Sequence, residues 1–174
     1  MFTKTSMRVF LGILLISTWV LGSSIQARSE TMNYKFYTWV IKSENVPVDD
    51  VEGHTVSLAQ RGGFYVFEDG EIATIKRVSM NDLIKGSGSA TVYETINFAD
   101  GSTIMLKGQS TLSGTAVRQH TSVEGTSEII RGTGRFEGIK GTGIGKAKFI
   151  PAEKGEAGSK QYGEGIITYT LPSK

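Results

Sequence analysis

The chain has 174 residues, 39% of them hydrophobic and 21% charged, with 22 glycines and no cysteine. No disulfide can staple it, so its fold has to rest on a hydrophobic core, for which this length suffices as a single domain. Its 19 Lys and Arg against 17 Asp and Glu give a net charge of +2, which lacks the electrostatic footprint of a nucleic-acid binder.

Residues 1–27 read as a secretory signal peptide. Lys4 and Arg8 supply a positive start, residues 9–21 an apolar run of 13, and Ile25-Gln26-Ala27 a cleavage site ending in a small residue. Such a run is too short for a hydrocarbon core that takes about 20 residues. Export is therefore expected rather than a stable membrane anchor, and no cysteine follows to carry a lipid. The leader holds two of the basic residues and none of the acidic ones, so the remaining domain, 28–174, is close to neutral. An exported chain without disulfides or an Asn-x-Ser/Thr sequon suits a bacterial periplasm or the extracellular medium.

The domain opens with residues 32–42, MNYKFYTWVIK, rich in aromatic and β-branched side chains and expected as a strand. One face carries Met32, Tyr34, Phe36, Thr38 and Val40; the other carries Asn33, Lys35, Tyr37, Trp39 and Ile41. Both turn apolar toward the end, which implies a lumen on one side and a covering element or a second subunit on the other. A homo-oligomer through this first strand is thus an expected partner arrangement.

Residues 43–53 read as a solvated acidic loop, without the ordered alternation and glycine of a calcium loop. Strands are expected over 54–61, 63–68 and 71–78, the last two joined at Asp69-Gly70. Residues 79–89 read as a connection with one helical turn at 80–84. Strands over 90–98 and 102–112 flank a second Asp-Gly turn, Asp100-Gly101, and 121–131 leads into the glycine-rich stretch 127–150. Residues 151–161 read as an exposed loop and 162–171 as the last strand. Eight to nine strands with no helix after the leader predict an all-β fold, a closed antiparallel eight-stranded barrel.

The glycine-rich stretch, SEIIRGTGRFEGIKGTGIGKAKFI, carries the closure. Gly141, Gly143, Gly145 and Ala147 share one strand face, and a face almost without side chains lets a strand bend or another backbone approach. Phe136, alone between glycines at the corner, is expected to plug one end. A phosphate loop is excluded because GTGIGK has the wrong spacing and no Ser or Thr after Lys146, and Glu137 stands where a dinucleotide fingerprint needs its third glycine.

With these residues in place, FADGSTIMLKGQ (98–109) followed by IIRGTGRFEGIKGTG (129–143) resembles the allene oxide cyclases and dirigent proteins, and most of all small exported bacterial proteins bearing a DGS turn and a GTGRFEGIKG segment. The resemblance implies an eight-stranded barrel with an apolar lumen, often trimeric in the plant members. Those members guide cyclisation of an unsaturated fatty-acid epoxide or coupling of phenolic radicals. In the cyclases an acidic residue in the first long strand lines the lumen, and YKFYTWVIK has no carboxylate.

No catalytic constellation stands out. His54 and His120 have no metal-ligand spacing, no Gly-x-Ser-x-Gly elbow is present, and neither a metal nor a cofactor is called for. Glu94 is the one catalytic candidate. It shares a row with Ala90, Val92, Ile96 and Phe98, so it either faces the lumen as a proton shuttle or faces out beside a lysine, as most strand carboxylates do. Tyr37, Trp39, Tyr65 and Tyr93 are the aromatics able to line a pocket and offer a polar tip. The expected function is an exported, non-catalytic barrel holding a small apolar or amphipathic molecule. A lumen-based cyclase or isomerase and a purely structural oligomer are the alternatives.

Overall fold

A computed structural model describes residues 29–114 and 122–173. The expected signal segment, residues 1–27, and His120 lie outside these residues. The eight strands are β1 (Glu30–Pro47), β2 (His54–Phe67), β3 (Ile72–Ile84), β4 (Ser87–Asn97), β5 (Thr103–Ser113), β6 (Ser122–Thr133), β7 (Lys140–Ile150) and β8 (Lys160–Thr170). Each pairs antiparallel with its chain neighbours, and β1 also pairs with β8, so the sheet closes into a barrel without edges.

Several expected boundaries move. Strand β1 runs five residues into the expected acidic loop, and 54–61 and 63–68 fuse into the single strand β2. Residues 80–84 form no helical turn but end β3, which meets β4 through a two-residue hairpin at Lys85-Gly86. Both turn residues have positive φ, 50° and 84°, the geometry of a type I′ turn. Lys-Gly is a weak signal for that turn beside Asn-Gly, which is why the sequence suggested a longer connection. The Asp-Gly turns form as expected. In each, the first Asp carboxylate oxygen accepts the backbone N–H two residues on, at 2.9 Å from Glu71 and 2.9 Å from Ser102.

Alternation sets what faces inward. On β1 the inner row is Tyr34, Phe36 and Thr38, and on β2 it is Ala59, Arg61, Gly63, Tyr65 and Phe67. The Gly141–Gly143–Gly145–Ala147 row of β7 also faces in. Gly141 shows why: a Cβ there would lie 2.1 Å from the Thr168 carbonyl oxygen on β8. Gly125, Gly145 and Gly165 stand in register across β6, β7 and β8, and Tyr34 is directly opposite Gly165. A Cβ on Gly165 would meet the Tyr34 hydroxyl at 2.4 Å, so the bare row is the bed on which that ring lies.

The core fills one end. Phe67, Phe98, Phe136, Ile139 and Tyr169 crowd together with Ala73, Ile75, Ile96 and Ile104. Phe136, on a 3₁₀ turn over Gly134–Phe136, sits 4.8 Å from the Phe98 ring centroid and is the expected plug. Arg135 beside it spans both Asp-Gly hairpins, pairing with Glu71 and with Asp100 at 3.1 Å, and lies over the Phe98 and Phe136 rings. The glycine-rich corner thus locks this end shut.

Candidate functional site

The site begins one layer above that core, where the interior row changes from hydrocarbon to charge. Register across five strands sets Val40, Arg61, Arg77, Glu94 and Leu106 side by side. Glu94 points into the lumen and is 5% exposed, which corrects the expectation that a strand carboxylate is solvated. Its Oε2 accepts from Arg77 Nε at 2.5 Å, and its Oε1 accepts from the Tyr65 hydroxyl. A carboxylate buried in this way needs such partners. The Tyr65 ring is stacked on Tyr34, with centroids 4.1 Å apart and planes 8° apart.

The surroundings tune these groups. Burial, and then the Glu94 charge, push the Tyr34 hydroxyl up to about 12 and hold Tyr65 well above the ordinary phenol range. Burial works against the Arg77 charge, but neighbouring Glu94 and the tyrosines outweigh it and raise its pKa. Both phenols therefore keep their protons at neutral pH, and Tyr65 is a donor held on Glu94.

Above this layer the lumen hollows. A cavity of about 230 Å³ opens between the end of β1, the start of β2 and the segment before β8. Arg61, Arg77 and Gln161 line it, with small residues such as Ser79, Ala90 and Ser110. Gln161 Oε1 accepts from Arg77 Nη1 at 3.1 Å and from the Thr38 hydroxyl at 3.3 Å. A further cavity of about 90 Å³ reaches Tyr34, Tyr65 and Glu94 and shares Arg77 and Gln161 with the first. The largest of these spaces, about 1180 Å³, is lined by outward residues such as Lys35, Val66, Gln109 and Glu164 together with Tyr34, Phe67 and the glycines Gly125, Gly145 and Gly165. It includes none of Arg61, Arg77 and Glu94, so the chemistry belongs to the smaller interior spaces.

Of the expected site residues, the lumen brings together Tyr65 and Glu94. Tyr37, Trp39 and Tyr93 face outward, with Trp39 42% and Tyr93 40% exposed. The alternation is the reason: Tyr34, Phe36 and Thr38 occupy the inner row of β1, so 37 and 39 must point away. Sequence reasoning missed Tyr34, Arg61, Arg77 and Gln161. A signal for Arg77 existed, since it stands in the inward row Ala73, Ile75, Arg77, Ser79, but the outward row with Val78 and Met80 is no less apolar. At the rim, His54 sits between two carboxylates, 2.6 Å from Asp50 and 2.8 Å from Asp82, and closes the β1–β2 loop onto β3.

No protein-family model matches the chain, and no curated protein matches it in sequence. Among solved structures, its fold matches the pterocarpan synthase dirigent protein PsPTS1 with a TM-score of 0.50 at 16% identity, over 85% of this chain and 99% of that one. The pterocarpan synthase dirigent protein GePTS1 matches with a TM-score of 0.46 at 13% identity, over 98% of this chain and 99% of that one. Identity this low speaks to fold alone: the chain is a dirigent-like eight-stranded barrel.

Proposed function

We propose that the protein binds a small amphipathic molecule in the open half of its lumen and does so without catalysis. The observation that carries this reading is the hollow above the Tyr34–Tyr65–Glu94–Arg77 layer, where small and polar residues alternate with a few apolar ones such as Val92, Leu112 and Phe149, whereas the other half is filled by the Phe67–Phe98–Phe136 cluster. Both Glu94 oxygens already serve as acceptors for residues of this chain, which favours a fixed floor over a free acid or base. The leader at residues 1–27 would place such a carrier outside the cytoplasm. Thermal shift with single-ring probes tests the reading, using wild type and variants that fill the hollow, Ala90→Phe and Ser79→Leu. Probes that stabilise wild type and not the filled variants support it; probes that shift all three alike contradict it.

A second reading, a cyclase or isomerase, is favoured by one observation, that Glu94 and Tyr65 meet at the edge of the smaller cavity. It requires turnover of an unsaturated epoxide or phenolic substrate that Glu94→Gln abolishes while ring-probe binding persists. Self-association is a separate part of the proposal. It is supported by the outward aromatic row Tyr162, Tyr37 and Phe64 across β8, β1 and β2, with Trp39 beside it. A monomer by light scattering at high concentration would remove that part.

A further inference from the structure

Among the described residues the lumen holds two arginines and one carboxylate. Arg61 and Arg77 stand directly opposite each other on β2 and β3, an arrangement in which like charges repel. Glu94, opposite Arg77 on its other side, answers one of them. Arg61 is only 7% exposed, and among the described residues its guanidinium donates to neutral oxygens alone: the Ser159 carbonyl at 3.0 Å, the Ser159 hydroxyl at 3.1 Å and the Thr38 hydroxyl at 3.5 Å. The Phe149 ring, 5.5 Å away, adds a quadrupole and no charge.

Among the described residues no ion pair includes Arg61, and every one of the 17 acidic side chains of the chain is in a described segment. A buried charge left in this state is expensive, and a protein keeps one where something else supplies the counter-charge. Burial and then Arg77 lower the Arg61 pKa to about 10, so it still carries its proton at neutral pH.

We propose that the upper cavity takes a compact monocarboxylate, an apolar ring or short chain bearing one acid group, with the carboxylate paired to Arg61. This rests on the lumen-binding reading above and names its ligand class. One negative charge balances the one unanswered positive charge, whereas a doubly charged phosphate would exceed it. The planar guanidinium fork fits a carboxylate in two-point contact. An engineered cavity of about 150 Å³ admits benzene, so the roughly 230 Å³ here accommodates a ring with a short acidic arm and is too small to enclose a long acyl chain. Val92, Leu112, Val123 and Phe149 on the cavity wall supply apolar contact for the body of such a molecule.

The test is calorimetric titration of the full-length protein with benzoate, with its neutral isostere benzamide, and with the long-chain acid palmitate, repeated on Arg61→Gln. Benzoate is expected to bind wild type about ten- to a hundred-fold tighter than benzamide, and palmitate not to compete for the site. Arg61→Gln is expected to bring benzoate down to the level of benzamide. Folding of that variant is not at risk from charge loss, since it removes an unanswered buried charge, and the acid-to-amide ratio on wild type needs no variant. Equal binding of benzoate and benzamide would overturn the acid assignment and leave lumen binding standing. Binding of neither, with the Tyr34 and Tyr65 ring resonances unmoved, would overturn both.

Discussion

The two ends of this barrel are built from the same eight strands and differ in the size of what points inward. At the end of the Asp-Gly turns, Phe67, Phe98, Phe136 and Tyr169 leave no room; at the other, Ala59, Ser79, Ala90 and Ser110 leave a hollow. An eight-stranded barrel is just wide enough for side chains to fill it. Whether it is a solid or a vessel is therefore decided locally by side-chain volume. Here the change occurs at a single layer, the row of Arg61, Arg77 and Glu94 with Tyr65 beneath it.

The largest effects should come from breaking either the plug or that layer. Phe136→Ala is expected to cost about 3–5 kcal/mol in a denaturant titration, while Ser79→Ala at the hollow end should leave the midpoint almost unchanged. A comparable loss at Ser79 would mean that the hollow is as tightly packed as the plug. Glu94→Ala strands the buried Arg77 charge and is expected to cost about 3–5 kcal/mol. The double change Glu94→Leu with Arg77→Met should recover most of it; failure to recover would show that the pair does more than satisfy itself.

A step smaller, Gly141→Ala drives a Cβ into the Thr168 carbonyl and should cost about 1–3 kcal/mol, read as a drop in Tm.

Titration sharpens the same contrast. Tyr34 and Tyr65 have folded pKa values raised above the unfolded phenol value of 10.0, so their contribution is complete below pH 10 and is lost as pH climbs through the folded values, about 12 for Tyr34. Phenolate absorbance from Tyr34 and Tyr65 should therefore rise only with alkaline unfolding, well above pH 10. Loss of the Tyr34 and Tyr65 protons near pH 10 in the folded protein would place that pair in water.

The smallest effect is at the rim. The His54 pKa is raised by its hydrogen bonds to Asp50 and then Asp82, so its contribution is present below the unfolded value of 6.5 and fades as pH rises through the folded one. His54→Gln should abolish the difference in β1–β2 loop hydrogen exchange between mildly acidic and alkaline buffer, and an unaltered difference would assign it to another group.

How much of this the sequence carried depends on which physical signal each part has. Closure was legible because glycines at alternate positions in β7 leave few other uses for a strand, and the plug because Phe136 stands among glycines in a tight corner. The two Asp-Gly turns announce themselves, whereas Lys85-Gly86 adopts the same kind of tight reversal without the usual residues. The site was half legible. Tyr65 and Glu94 could be picked as polar tips in apolar rows, but Tyr37, Trp39 and Tyr93 lie in rows just as apolar that face out. An outward row rich in Trp, Phe and Val removes the contrast by which phase is read. The meeting of Arg77 with Glu94, and of Arg61 with Arg77, depends on register between strands, which no single strand encodes.

Binding in the lumen requires the interior to be hollow at one end and accessible there to a small molecule. A crystal of the full-length protein soaked with benzoate tests this most directly. Density for the ring between Ala90, Ser110 and Gln161, with its acid group on Arg61 and the plug undisturbed, is the predicted result. A lumen closed by its own side chains, with the compound only on the outer face of the barrel, would contradict it.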